Sequence, residues 1–203
     1  MTNIFMFIII YGPEGCGKST QCKMLAERMK ITKLGSGDLV RKYSAEDKGI
    51  IGEICRNGLQ KGYYIADSEM FVMWKQRFKE SDTDRAFCIE GFPRNMTQAL
   101  FLDDKLNKYK KEATMVVYLR VREKESIKRL LKRGRHNPDG SLADSRKNIK
   151  ERLRRYKAEE KDVLDFYKKK DVLHEVNGER SIEEIHEDIL QKAVKIQNEI
   201  KKA

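Results

Sequence analysis

The chain has 203 residues, 39% apolar and 37% charged, and its 43 basic against 32 acidic side chains give a formal charge of +11. That length suits one sizeable domain with small inserted lobes, and the composition excludes a chain dominated by disorder. The longest apolar run is too short to span a bilayer and no leader with a small-residue cleavage site opens the chain, so a soluble cytoplasmic protein is expected.

Residues 5–11, FMFIIIY, are apolar without a break and predict a strand buried on both faces. The chain then reads Gly12-Pro13-Glu14-Gly15-Cys16-Gly17-Lys18-Ser19, which satisfies G-x-x-x-x-G-K-[ST]. From Thr20 to Lys30, Cys22, Leu25, Ala26 and Met29 recur at helical spacing. Ile31–Leu34 predicts a short strand, followed by a turn at Gly35-Ser36-Gly37 and a helix from Asp38. Residues 38–80 read as helix in three or four pieces, broken near Gly49, Gly52, Gly58 and Gly62. Such a block resembles a lobe inserted in a sheet.

Arg85–Glu90 is another buried strand and runs straight into Gly91-Phe92-Pro93-Arg94. A helix over about 95–108, a strand over 114–120 and a helix over 123–133 follow. Residues 134–145 carry two glycines and a proline and predict a loop. A long charged helix over 146–170, a strand over 172–176, a turn at Asn177-Gly178 and a last helix to about Lys201 complete the chain. Strands alternating with helices predict an α/β fold: a five-stranded parallel sheet with helices on both faces. Ligands then gather at the carboxyl ends of the strands, where segments 12–19, 35–41 and 90–94 all fall.

The chemistry of the first loop follows from its backbone. Glycines let successive N–H groups turn toward one anion, and the helix start adds unpaired N–H groups and the positive end of its dipole. Gly15, Cys16, Gly17, Lys18, Ser19 and Thr20 are the candidate phosphate contacts. Lys18 supplies a mobile charge and Ser19 a hydroxyl for Mg2+. The four cysteines, at 16, 22, 55 and 88, form no C-x-x-C pair, so reduced thiols are expected, with Cys16 reactive if exposed. The positive charge is mixed with acidic residues along helices and no nucleic-acid motif accompanies it, so a nucleic-acid partner is not expected.

Three segments carry a family resemblance: GPEGCGKSTQ at 12–21, SGDLVR at 36–41 and EGFPRNMTQ at 90–98. Together they resemble the nucleoside monophosphate kinases, and within that group the adenylate kinases with a short lid. The resemblance implies Mg2+-dependent phosphoryl transfer from ATP to AMP, in a monomer that binds nucleotides and carries no structural zinc. It also implies a core of 1–35, 81–133 and 146–203, a monophosphate-binding lobe at about 36–80 and a lid at about 134–145. Site roles carry over residue by residue. Lys18, Arg94, Arg133 and Arg152 would act on the transferring phosphates, and Arg129 and the backbone of Arg180 would hold the ATP adenine. Ser36, Arg41, Leu59, Ile65, Gly91, Arg94, Gln98 and Arg152 would bind AMP.

Gln98 favours AMP over a pyrimidine monophosphate, because the UMP and CMP kinases tend to carry asparagine there. A carboxamide suits adenine because it donates and accepts in one plane. The chain departs from the family in four places. Ser36 replaces threonine, and Glu90 replaces the aspartate expected to reach Mg2+ through water. Ser141 replaces the lid arginine and Ala143 one of two aspartates, with Arg135 or Arg146 expected to supply the missing charge. The rival readings are a kinase for UMP or CMP, and a nucleotide-binding module of low turnover with a nucleic-acid partner.

Overall fold

The computed structural model describes residues 6–80, 83, 86–137, 140 and 142–202. Phe5 and Arg85, expected at strand starts, and Ser141 in the lid lie outside the described residues. β1 (Met6–Tyr11) is buried along its whole length. β2 (Thr32–Gly35), β3 (Ala86–Glu90), β4 (Met115–Arg120) and β5 (Leu173–Asn177) complete a sheet of order β2-β3-β1-β4-β5. Each strand pair is parallel, with Ile10 beside Glu90 and Val117. The α/β class and the five-stranded parallel sheet are therefore as the sequence predicts.

The pleat of β1 divides the core in two. Phe7, Ile9 and Tyr11 face one cluster with Trp74, Leu102 and Val163. Met6, Ile8 and Ile10 face another with Leu25, Ile185 and Ile189. The first cluster is roofed by α4 (Asp67–Arg77), α5 (Met96–Lys108) and α7 (Arg146–Lys169). The second is covered by α1 (Lys18–Met29) and α8 (Ile182–Lys202). Each fully buried large side chain contributes roughly 1.5–3 kcal/mol, which makes the central strand a rigid platform for the loop that leaves it.

Two boundaries differ from the sequence reading. No turn separates β2 from the following helix: α2 (Ser36–Glu46) starts directly after an extended Gly35. Ser36 is anchored there because its hydroxyl donates to the Gly91 carbonyl at 2.8 Å. Likewise, Gly52 and Gly58 do not break a helix but lie inside α3 (Ile50–Lys61). They are small because the packing is close: a Cβ on Gly58 would meet Ile65 Cδ1 at 2.4 Å and one on Gly52 the Asp47 carbonyl at 1.9 Å. The helices of 36–80 are therefore three, α2, α3 and α4, and Tyr63–Ala66 between the last two is not helical. α6 (Glu123–Arg133) ends at Gly134 in the left-handed region. Beyond it, His136 bridges Leu142, and the Asp144 amide donates to the Arg135 carbonyl at 3.1 Å, pinching the ends of the expected loop together. Among the described residues no helix is long and apolar enough to cross a membrane.

Candidate active site

The site lies at the carboxyl ends of the three strands β2, β3 and β1, where the order of the sheet brings their following loops side by side. Gly12, Gly15 and Gly17 all take positive φ, so the loop after β1 curls through backbone that other residues adopt only with strain. Gly17 caps α1 with no side-chain acceptor, leaving the first-turn N–H groups to an external anion. Lys18 folds over the loop, with Nζ donating to the Gly12 and Pro13 carbonyls at 2.7 and 2.8 Å. Ser19 and Thr20 are exposed on that first turn. Cys16 is not exposed: at 1% accessibility its thiol packs in the core, and burial pushes its pKa up against the opposing charge of Lys18. The exposure on which reactivity would depend is therefore not met, because the residue faces inward from the loop and not toward solvent.

The loop itself carries Glu14, around which the cationic side chains meet. Arg152 Nη1 lies 2.7 Å from Glu14 Oε2 and Arg94 Nη1 4.0 Å from Oε1. The Tyr64 hydroxyl donates to the same carboxylate, and its ring carries the Arg94 guanidinium at 3.9 Å from its centroid. Arg94 is aimed by its own turn, with Nε donating to the Gly91 carbonyl at 2.8 Å. Burial alone would raise the Glu14 carboxyl, but Arg152, then Arg94, hold it below the ordinary carboxylate range.

Arg152 is buried and joins this group to the lid end. Its Nη2 donates to Asp144 Oδ1 at 2.8 Å, and Arg133 Nε donates to Asp144 Oδ2 at 2.8 Å. Arg133 Nη2 donates to Oδ1 as well, at 3.0 Å, and the Arg135 amide adds a fourth bond to that carboxylate at 3.1 Å. Burial would raise Asp144, but Arg133 and Arg152 outweigh it and bring the pKa down to about 2. Arg135 is exposed, but its amide bond to Asp144 sets it beside Arg133; burial of part of its side chain, then the like charge of Arg133, lowers its pKa. Arg146 is exposed on the first turn of α7. Arg154 is exposed as well and pairs with Glu151 at 3.0 Å.

Gln98 is only 4% exposed, and both ends of its carboxamide are engaged. Nε2 donates to Asp67 Oδ1 at 2.6 Å and Oε1 accepts from the Arg94 amide at 2.8 Å. Asn95 closes the ring, accepting from the Gln98 amide at 2.8 Å and donating to Asp67 Oδ2 at 2.9 Å. One amide hydrogen and one lone pair of the side chain remain, and their orientation is set by Asp67.

The expected residues are not all brought together. Arg41 pairs with Asp38 at 2.7 Å and is half exposed. Ile65 is buried against Gly58 and Leu59 is partly buried on α3. Arg129 and Arg180 form a second locale: Arg129 Nη1 donates to the Gly178 carbonyl at 2.9 Å, and Arg180 pairs with Asp188 at 2.6 Å. Glu90 ends β3 level with Ile10, two residues before the phosphate loop begins. Ser19 and Glu90 are oxygen donors of the kind a hard cation takes, and they stand at the ends of adjoining elements. Among the described residues, no three or more His, Cys, Asp or Glu side chains are grouped to hold a metal.

Sequence reasoning missed Glu14, Tyr64 and Asp67. The one available signal was an acidic side chain at a variable position of the phosphate loop, beside amides meant for an anion. A phosphate loop on the central strand of a parallel sheet, faced by arginines from the turn after the adjoining strand and from α7, defines a phosphotransferase of the nucleoside monophosphate kinase class. The family model described as adenylate kinase matches residues 10–172. The chain is 32% identical to an adenylate kinase of Azobacteroides pseudotrichonymphae over 185 residues, covering 90% of this chain and 94% of that one. It is 33% identical to an adenylate kinase of Leptospira biflexa over 183 residues, 90% and 97% of the two chains. An adenylate kinase of Archaeoglobus fulgidus is 28% identical over 209 residues, 91% and 96% of the two chains. The chain belongs to the adenylate kinase family.

Proposed function

We propose that this site moves the terminal phosphoryl group of ATP onto the phosphate of AMP, yielding two ADP, and that UMP and CMP are poor acceptors. The observation that carries this reading is the meeting of Arg94 and Arg152 over the phosphate loop, at Glu14. Two cations from separate elements then face a loop built for a triphosphate, and in-line transfer between two polyanions needs little else. The loop amides and Lys18 bind the donor phosphates. Arg94 and Arg41 clamp the acceptor phosphate, and Arg133 and Arg152 neutralise charge on the group in flight. Ser36, Leu59, Ile65 and Gly91 form the acceptor pocket, within a monophosphate-binding lobe of about 36–80. Arg129 stacks on the donor adenine and the Arg180 backbone meets its amino group. Residues 134–145 act as a lid that excludes water. Ser19, and Glu90 through water, would hold Mg2+, which when bound supplies positive charge at the bridging phosphate oxygens.

A monomer acting on free nucleotides in the cytoplasm, without structural zinc, is the companion reading, and the mixed charge along α7 favours small nucleotides over nucleic acid as partners. A coupled assay of ADP formation from ATP with AMP, UMP or CMP tests the acceptor. AMP should be used with the highest kcat/KM by at least tenfold, on the order of what an unpaired base edge costs. Equal use of UMP or CMP would overturn it.

The remaining donor and acceptor of Gln98 suit the adenine edge. Gln98→Asn withdraws both by a methylene and slackens the tie to Asp67. The KM for AMP should rise about tenfold while that for ATP changes about twofold at most. A KM change confined to ATP would show the acceptor base to be misassigned. At the lid, the bond of the Arg135 amide to the Asp144 carboxylate that Arg133 and Arg152 share supports Arg135, and not Arg146, as the replacement for the missing arginine. Arg135→Ala should lower turnover about tenfold, with Arg154→Ala as the unaffected comparison. Parent-like turnover by Arg135→Ala would leave Arg133 and Arg152 as sufficient.

A further inference from the structure

Glu14 is an acidic side chain set among groups that the transferred phosphate needs, and no step of the reaction calls for it. Its place is not incidental to the packing. Arg152 spends Nε on the Asn148 carbonyl at 3.2 Å and Nη2 on Asp144 and the Ala143 carbonyl at 2.8 and 3.3 Å. Nη1 is the nitrogen left to meet an anion, and Glu14 takes it at 2.7 Å. Arg94 is committed through Nε to Gly91 and through its face to Tyr64, and its Nη1 turns toward the same carboxylate. Tyr64, from the segment between α3 and α4, donates its hydroxyl to Glu14 as well. One carboxylate thus collects a donor from the acceptor side, a cation from the end of β3 and a cation from α7, as a phosphate oxygen would.

We propose that Glu14 is an intramolecular competitor for the substrate phosphates: its carboxylate occupies the Arg152 and Arg94 donors and must be displaced when nucleotide binds. This rests on the phosphate-binding roles proposed above. A carboxylate accepts from guanidinium in the same fork geometry as a phosphate, but it carries one charge against two or more, so the exchange favours substrate. The contact lowers the affinity for each polyanion and favours its release after transfer, which tunes KM and not the chemistry. It also ties three elements through one exchangeable group, so displacement frees Tyr64 and Arg152 together.

The test is calorimetric titration of the bisubstrate analogue in which two adenosines are joined by five phosphates. Glu14→Gln removes the charge and keeps the shape. Glu14→Asp keeps the charge on the loop but draws the carboxylate back by one methylene, out of direct contact with Arg152. Direct competition predicts tighter binding by both variants, at least about fivefold for Gln and somewhat less for Asp, with a parallel fall in the KM for AMP. Unchanged or weaker binding by either overturns the proposal. In particular, a gain with Gln and none with Asp would reduce Glu14 to a diffuse field effect. If Gln does not yield a folded protein, the Asp variant decides alone. Lys18→Met is titrated beside them: parent-like affinity there would defeat the phosphate-site reading itself. Loss of affinity there, with no gain at Glu14, would defeat only the competition.

Discussion

Lys18→Met should lower phosphoryl transfer by about a hundredfold or more, with a modest loss of stability. Lys18 is held over the loop by two carbonyls, those of Gly12 and Pro13, at 2.7 and 2.8 Å. Those bonds leave its charge at the mouth of the loop and make it a preorganised donor that swings only a short way to reach a phosphate. Methionine keeps the length and apolar stem and removes the charge. The two carbonyls, on buried Gly12 and Pro13, lose a partner, so the stability cost is about 1–3 kcal/mol. A coupled ADP assay and a thermal melt on the same preparation check both halves. Parent-like turnover would exclude Lys18 from the phosphate site, and a collapsed melt would make it a structural residue.

Arg152→Ala should be as damaging to turnover, by about a hundredfold, and it should destabilise the fold more than Lys18→Met does. Arg152 is buried and bridges Glu14 and Asp144 at 2.7 and 2.8 Å. Removing one partner of a buried ion pair costs roughly 3–5 kcal/mol. The lower end is expected here because Asp144 keeps Arg133 at 2.8 Å. The loss also has a pH signature. Arg133 and Arg152 overcome the burial of Asp144 and depress its pKa to about 2. A depressed carboxylate contributes stability that is complete above its unfolded pKa of about 4 and is lost as pH falls toward its folded value. In Arg152→Ala the folded value moves up, so the acid dependence of the melt between about pH 4 and 2 flattens. An unchanged profile would mean that Arg133 alone sets the Asp144 charge.

What the sequence determined by itself was local and periodic. The unbroken apolar run before Gly12 could only be a strand buried on both faces, and β1 is that strand. The glycine spacing to Lys18 required positive backbone angles that Gly12, Gly15 and Gly17 take. The alternation of strand and helix was enough for a parallel sheet, and the three quoted motifs were enough for the family. Each of these signals lives within a few residues, in side-chain spacing or in the conformational freedom of glycine.

Tertiary structure decided the partners. Glu14 meets Tyr64 fifty residues on, and Arg152 much further along the chain. Asp67 orients Gln98 from a different helix. Gly52 and Gly58 read as helix breakers, yet they lie inside α3 because Asp47 and Ile65 come close enough to exclude a side chain. Cys16, inside a solvent-facing motif, turns into the core. Apart from the acidic charge of Glu14 inside the phosphate loop, none of these has a local signal, because ion pairs, amide orientation and close approach depend on where separate elements come to rest. That is set by the burial of the two core clusters on either face of β1, so the same packing that makes the platform also chooses which charges share the active site.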